Sequence, residues 1–157
     1  MCLGELGSAS LECALAVIGD QPVAALGAAL AHRDAGGRLV VSITGDGEFN
    51  MAPHTLWTAA HHGIAYLTII QNNRAYHQEV MGLQGLANRY NRGIDNIGIG
   101  TKIYDPFIDY AKVAQGLGVQ AEGPISDPKL LAAAIARGME VVKRGDPYLI
   151  DTVTQPR

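Results

Sequence analysis

Residues 38 to 47 read Arg38-Leu39-Val40-Val41-Ser42-Ile43-Thr44-Gly45-Asp46-Gly47, a mostly apolar, β-branched run that ends in a glycine-rich turn. A second run of this kind, Ala65-Tyr66-Leu67-Thr68-Ile69-Ile70-Gln71, ends in Asn72-Asn73. Segments that are apolar on both faces are typical of buried parallel strands. The stretch between them, Pro53 to His62, predicts a helix, so we expect a strand-helix-strand crossover.

This crossover determines where the polar residues lie. The carboxyl ends of neighbouring parallel strands meet at one edge of the sheet, which is where open α/β sheets bind ligands. Asp46 and Asn73 are therefore expected to converge. A carboxylate, an amide oxygen and a backbone carbonyl just after Asn73 suit a hard divalent cation that also holds a diphosphate. Gly45 and Gly47 would let the backbone approach the phosphates, and amides that open the next helix would point at them.

Gly45-Asp46-Gly47 followed about two dozen residues later by Asn72-Asn73 resembles the thiamine diphosphate motif. The similarity continues over Ile18 to Leu30, over Asn72-Asn73-Arg74-Ala75-Tyr76 and over Pro147 to Asp151. It covers about residues 16 to 155. It corresponds to the C-terminal, diphosphate-binding domain of the acetolactate synthase-like and benzoylformate decarboxylase-like branch. The resemblance implies thiamine diphosphate and Mg²⁺ as cofactors.

The resemblance also assigns residues to the site. It implies that Asp46, the side-chain oxygen of Asn73 and the carbonyl of Ala75 are the metal ligands. It matches Ile18 to the bulky apolar residue that holds the cofactor in its bent conformation. Asp20-Gln21 stand where the branch usually has an aromatic-glycine pair, so the loop under the aminopyrimidine differs from the family pattern.

Further residues border this predicted site. The resemblance implies that the amides of Gly47 and Glu48 bind the diphosphate, with the Glu48 carboxylate turned away because it would repel the phosphates. His77, Tyr76 and Gln78 follow the metal ligands and are candidates for contact with the substrate or the thiazolium. The alternative for each is an ordinary surface residue.

The rest of the chain predicts a doubly wound, mostly parallel α/β sheet with helices on both faces. The sequence pattern predicts helices near residues 9–17, 22–32, 76–89, 107–117 and 127–142, strands near 119–121 and 147–153, and a long loop over 91–106. The last strand could run antiparallel. Phe49 and Trp57 are expected in the core.

Composition fits one domain over residues 1–157, with residues 1–15 unassigned. The chain is 48% hydrophobic and 17% charged, with 19 glycines and a net charge of −3. The charge balance gives no reason to expect nucleic acid or a membrane as partner. Cys2 and Cys13 lack metal-ligand spacing or a disulfide framework, so we expect a cytoplasmic protein.

Family resemblance implies an enzyme that breaks or forms a carbon-carbon bond next to a carbonyl, as a 2-oxo acid decarboxylase or an acetolactate synthase-like enzyme. Such enzymes take an activating glutamate from a pyrimidine-binding domain, which this chain lacks. We therefore expect the chain alone to be inactive and to need that domain or subunit as partner, in a homo- or hetero-oligomer. A non-catalytic cofactor-binding or scaffold domain is the alternative. A plain nucleotide-binding domain is a weaker one, since it would not need Asn73.

Overall fold

The structure is a computed structural model that describes residues 20–154. Within these residues the chain alternates helices and strands, as the sequence pattern predicts. The elements are α1 (Asp20–Asp34), β1 (Val41–Gly45), α2 (Asp46–Phe49), α3 (Thr55–His62), β2 (Leu67–Asn72), α4 (His77–Arg89), α5 (Tyr110–Gly116), β3 (Gln120–Ile125), α6 (Pro128–Lys143) and β4 (Tyr148–Val153).

The four strands form one sheet in the order β1-β2-β4-β3, and every neighbouring pair is parallel. Gly45 at the end of β1 is level with Gln71 near the end of β2. The antiparallel alternative for the last strand is wrong. The physical reason is the connection: α6 carries the chain back across the sheet between β3 and β4, so β4 enters from the same end as its neighbours.

Helices cover both faces of the sheet, which confirms the predicted fold class. On one face, α1, α3 and α5 pack against Tyr66 just before β2, Ile70 of β2 and Leu149 of β4. On the other face, α6 packs against Leu67 of β2 and Ile150 of β4. The alternation of these side chains along each strand gives the sheet two apolar sides.

Some boundaries differ from the sequence prediction. The four-residue helix α2 follows β1 directly and is too short to show a helical period. Helix α5 begins later than predicted because the Asp109 side chain accepts a hydrogen bond from the Lys112 amide and caps the helix there. Asp127 caps α6 in the same way, as predicted. The helix predicted over residues 9–17 lies outside the described residues.

Of the two aromatic residues predicted to lie in the core, Phe49 does and Trp57 does not. Phe49 is buried, but Trp57 is 53% exposed and stacks on His61 of the same helix, with 4.9 Å between ring centroids. The prediction for Trp57 was wrong because α3 has only eight residues, too few for the spacing of its apolar residues to show which face is buried. No helix within residues 20–154 is both long and apolar enough to cross a lipid bilayer.

Candidate functional site

Asp46 lies where β1 passes into α2, and its side chain is almost fully buried. Its Oδ1 accepts a hydrogen bond from the Gly47 amide at 3.0 Å. Its Oδ2 accepts one from the Arg74 amide at 2.6 Å. The carboxylate thus bridges the end of β1 and the turn after β2, which is the convergence that the crossover predicts.

Burial raises the pKa of the Asp46 carboxyl, and the hydrogen bonds from Gly47 and Arg74 oppose that shift. Tyr110 contacts the backbone of the Gly45-Asp46-Gly47 loop, because its hydroxyl donates a hydrogen bond to the Asp46 carbonyl oxygen at 3.4 Å. Tyr110 in turn packs edge-on against Phe49. A buried carboxylate held this firmly would be stabilised by a nearby cation, because the cation offsets the cost of burying the charge.

The two asparagines at the end of β2 have different surroundings. Asn72 is buried, and its Nδ2 donates to Oδ1 of Asp151 on β4 at 3.1 Å. Asn73 is half-buried, and its Oδ1 accepts a hydrogen bond from the Ala75 amide at 3.0 Å. An amide oxygen has two lone pairs, so Asn73 keeps one acceptor site beside the Asp46 turn. Asn72 is a structural residue of the sheet.

Ala75 is held by a short antiparallel pairing with Lys102. The Tyr76 amide donates to the Thr101 carbonyl at 2.7 Å, and the Ile103 amide donates to the Arg74 carbonyl at 2.8 Å. Ala75 and Lys102 are thus a non-hydrogen-bonded pair, in which the neighbouring residues form the hydrogen bonds between the two segments. The amide and carbonyl of each paired residue point away from the opposite segment. The Ala75 carbonyl therefore points away from residues 101–103, on the side where its amide meets Asn73.

Arg74 has a left-handed backbone conformation, with φ of 63°. This conformation is uncommon outside glycine and marks a constrained turn. Its guanidinium lies over the Phe107 ring, 4.5 Å from the centroid. Two contacts therefore support the turn at Arg74. The backbone of residues 101–103, in the long loop predicted over 91–106, forms hydrogen bonds with it, and the Phe107 ring just after that loop contacts the Arg74 side chain.

Gly47 lies against the Tyr76 ring. A Cβ atom at Gly47 would be 2.6 Å from the Tyr76 Cδ1 and Cε1 atoms, so a larger residue here would displace this ring. A Cβ at Gly45 would meet nothing within 4 Å, which leaves open space above the loop. Tyr76 precedes α4, and His77 and Gln78 are its first two residues. All three border the turn, and their contact with substrate stays a prediction.

Glu48 points away from the loop. Its Oε1 accepts a hydrogen bond from the Gln21 amide at 3.2 Å, so the carboxylate lies at the N-terminus of α1. An acidic group is favoured there by the unpaired amides of the first helical turn. The predicted role of the Glu48 amide stays a prediction. Ile18 lies outside the described residues.

The donor set fits a hard divalent cation. Within residues 20–154 no group of three or more His, Cys, Asp or Glu side chains could hold a metal, so any metal here needs other oxygen donors. The predicted ligands, which are the Asp46 carboxylate, the Asn73 amide oxygen and the Ala75 carbonyl, are donors of this kind. Gly47 donates to one Asp46 oxygen and Arg74 to the other, and a carboxylate has about four acceptor positions in all. Oxygen donors of this kind suit Mg²⁺ or Ca²⁺.

A protein-family model for the C-terminal TPP binding domain of thiamine pyrophosphate enzymes matches residues 7–152. The chain belongs to this family. The thiamine diphosphate-dependent 4-hydroxybenzoylformate decarboxylase of Rhodococcus jostii RHA1 has a similar structure, with a TM-score of 0.67 and 29% sequence identity. The match covers 88% of this chain and 23% of that one.

A putative thiamin diphosphate-dependent enzyme of Mycobacterium smegmatis shares the fold, with a TM-score of 0.64 and 24% identity. It too is covered over 23% of its length, by 88% of this chain. This TPP-binding domain thus spans about a quarter of the solved proteins that it resembles. Sequence reasoning missed two contacts that hold the site. Tyr110 is a single aromatic residue at the start of a helix, and the segment around Thr101 is irregular, so neither shows a recognisable sequence pattern.

Proposed function

We propose that this chain anchors the diphosphate of thiamine diphosphate through a divalent cation, Mg²⁺ by preference. The observation that carries the proposal is the Asp46 carboxylate, which is buried and bonded to amides of both the glycine loop and the Asn73 turn. A buried carboxylate beside two further oxygen donors is a suitable site for such a cation.

Each residue has a separate task in this proposal. Asp46 supplies the negative charge, while Asn73 and the Ala75 carbonyl supply neutral oxygens. The open space above Gly45 leaves room for the diphosphate. Thiamine diphosphate, when bound, supplies the chemistry that breaks or forms a carbon-carbon bond next to a carbonyl. The protein binds and orients it. Tyr76, His77 and Gln78 border the site and are our candidates for contact with the substrate.

We infer that the reaction is that of a 2-oxo acid decarboxylase or an acetolactate synthase-like enzyme. The resemblance to a 4-hydroxybenzoylformate decarboxylase supports the first of these. A pyrimidine-binding domain or subunit would supply the activating glutamate, so the chain by itself would be inactive. Purified chain should turn over 2-oxo acids only after a separately made pyrimidine-binding domain is added. Turnover by the chain alone would contradict this division of the site.

Titration calorimetry with thiamine diphosphate and Mg²⁺ tests the anchoring role. Asp46→Asn keeps an acceptor oxygen for one of the two amides but removes the charge, so we expect at least a tenfold loss of affinity, about 1.4 kcal/mol or more. Asp46→Ala should abolish binding but also leaves two amides without their acceptor. Asp34→Ala is the matched control, because Asp34 is an exposed residue paired with Arg33. Unchanged affinity in Asp46→Asn would refute the metal assignment.

A further inference from the structure

A second carboxylate, that of Asp151, is buried near the Asp46 loop. Asp151 lies in β4, and its exposed fraction is 0%. Burial raises the pKa of the Asp151 carboxyl. Hydrogen bonds from the Asn72 side chain and the Tyr110 backbone oppose that shift, and the nearby charge of Asp46 adds to it. A buried carboxylate costs free energy unless hydrogen bonds compensate for it, so the groups that donate to Asp151 and the carboxylate hold one another in place.

One contact of Asp151 leads to the Asn73 turn. Asn72 is buried, and its Nδ2 donates to Oδ1 of Asp151 at 3.1 Å. Asn72 is level with Val153 in the sheet, so its side chain reaches back by two residues along β4. Asn73 follows directly in the chain. The hydrogen bond to Asp151 therefore fixes the point at which β2 ends and the Asn73 turn begins.

The other contact of Asp151 leads to Asp46. Tyr110 is the first residue of α5, and its backbone amide bonds to the Asp151 carboxyl. The Tyr110 hydroxyl donates to the Asp46 carbonyl oxygen at 3.4 Å, and the side chain is almost fully buried. Asp151 is thus linked to the Asn73 turn through Asn72. It is linked to the Asp46 loop through Tyr110.

The backbone of β3 holds Asp151 from a further direction. A Cβ atom at Gly123 would lie 2.6 Å from the Asp151 carbonyl oxygen and 2.7 Å from its Cβ. Gly123 has φ of 137°, a conformation that glycine adopts readily, and it lets β3 approach β4 closely here. Asp151 therefore has little room to shift. It is a fixed point to which both ligand-bearing loops are attached.

We propose that Asp151 is a positioning residue, which sets the spacing of the Asp46 carboxylate and the Asn73 amide oxygen without touching the cation. This inference rests on the proposed anchoring role. Hydrogen-bonding residues behind metal ligands orient those ligands, and their loss typically lowers metal affinity about 10–100-fold. A fixed spacing favours Mg²⁺, which demands near-octahedral geometry, over Ca²⁺, which accepts longer and more variable distances. Asp151 thus contributes to the choice of cation.

Titration calorimetry with Mg²⁺ and with Ca²⁺, each in the presence of thiamine diphosphate, tests this role. Asp151→Ala removes the link between the loops, so the affinity for Mg²⁺ should fall about tenfold more than the affinity for Ca²⁺. Asp151→Asn keeps an oxygen that accepts from Asn72. It should therefore change both affinities by the same factor and preserve their ratio. Loss of charge alone weakens both cations alike and does not change that ratio.

Thr152→Val is the matched control. Thr152 is the next residue of β4, and its buried hydroxyl donates to the Ile70 carbonyl, outside the contacts of Asp151. This variant should lose stability but keep the wild-type ratio of Mg²⁺ to Ca²⁺ affinity. Tyr110→Phe removes only the hydroxyl that reaches the Asp46 carbonyl. It should lower the ratio in the same direction as Asp151→Ala.

The outcomes separate the positioning role from the anchoring role. A wild type that binds neither cation would overturn both. Cation binding by the wild type, with a ratio that folded Asp151→Ala leaves unchanged, would overturn the positioning role alone. A ratio that Asp151→Asn lowers as far as Asp151→Ala does would also contradict it. If circular dichroism shows Asp151→Ala to be unfolded, Tyr110→Phe decides, and an unchanged ratio there overturns the positioning role.

Discussion

Replacing Gly47 with alanine is the sharpest test of the loop geometry. The new Cβ would lie 2.6 Å from two carbons of the Tyr76 ring and 3.4 Å from Cδ1 of Ile103. Carbon atoms pack at about 3.5–4.0 Å, so the ring must move by about 1 Å. The Tyr76 backbone is held by the hydrogen bond from its amide to the Thr101 carbonyl at 2.7 Å, so the ring must move by rotation about its side-chain bonds.

The expected magnitude follows from two opposed effects. Overpacking of this kind costs about 1–3 kcal/mol. Alanine in place of a helical glycine gains about 0.5–1 kcal/mol, and Gly47 lies in α2. The net loss of unfolding free energy is then about 1 kcal/mol, or a melting temperature lower by about 2–4 °C for a chain of this size. Because the Tyr76 turn holds Asn73 and Ala75, affinity for Mg²⁺ and thiamine diphosphate should fall as well.

Urea denaturation of four proteins measures this effect: wild type, Gly47→Ala, Tyr76→Ala and the double variant. The cycle should show that Gly47→Ala costs less once the ring is removed, by about 1 kcal/mol. Gly45→Ala is the control, since its Cβ meets nothing and its stability should change by less than about 0.5 kcal/mol. Equal costs of Gly47→Ala with and without the Tyr76 ring would refute the reasoning.

Three further predictions concern the two asparagines at the end of β2 and the Asp151 carboxylate of β4. Asn72→Ala should lower the unfolding free energy by about 3 kcal/mol, since it removes the side-chain hydrogen bond that Asn72 donates to the buried Asp151. Asn73→Ala should preserve stability in denaturation but lose metal binding in calorimetry. If Asn72→Ala instead lost metal binding and Asn73→Ala lost stability, the structural and metal-binding roles of the two asparagines would be exchanged. Burial raises the pKa of Asp151, so the folded state binds its proton more tightly. The stability of the wild type should therefore fall, relative to Asp151→Asn, as pH rises above about 4. Urea curves of both proteins at pH 4 and pH 7 would show this, and a parallel response would contradict it.

Sequence patterns could predict the sheet edge but not all that supports it. Two β-branched runs with a helix between them predict parallel neighbours, and parallel neighbours bring Asp46 to the turn after Asn72. That inference needs only local periodicity. The hydrogen bond from Tyr110 to the Asp46 carbonyl joins residues 64 apart, and the pairing at Lys102 comes from an irregular loop. Contacts of this kind depend on tertiary packing, and no periodic pattern in the sequence predicts them.

Strand order has a consequence for how the domain folds during synthesis. Strand β4 lies between β2 and β3, yet residues 148–153 leave the ribosome after both of them. Until they emerge, β2 has an unpaired edge and Asn72 lacks its carboxylate partner 79 residues away. An open apolar strand edge promotes association of nascent chains. Fragments that stop before β4 should therefore aggregate, because β2 and β3 are joined in the sheet only through β4.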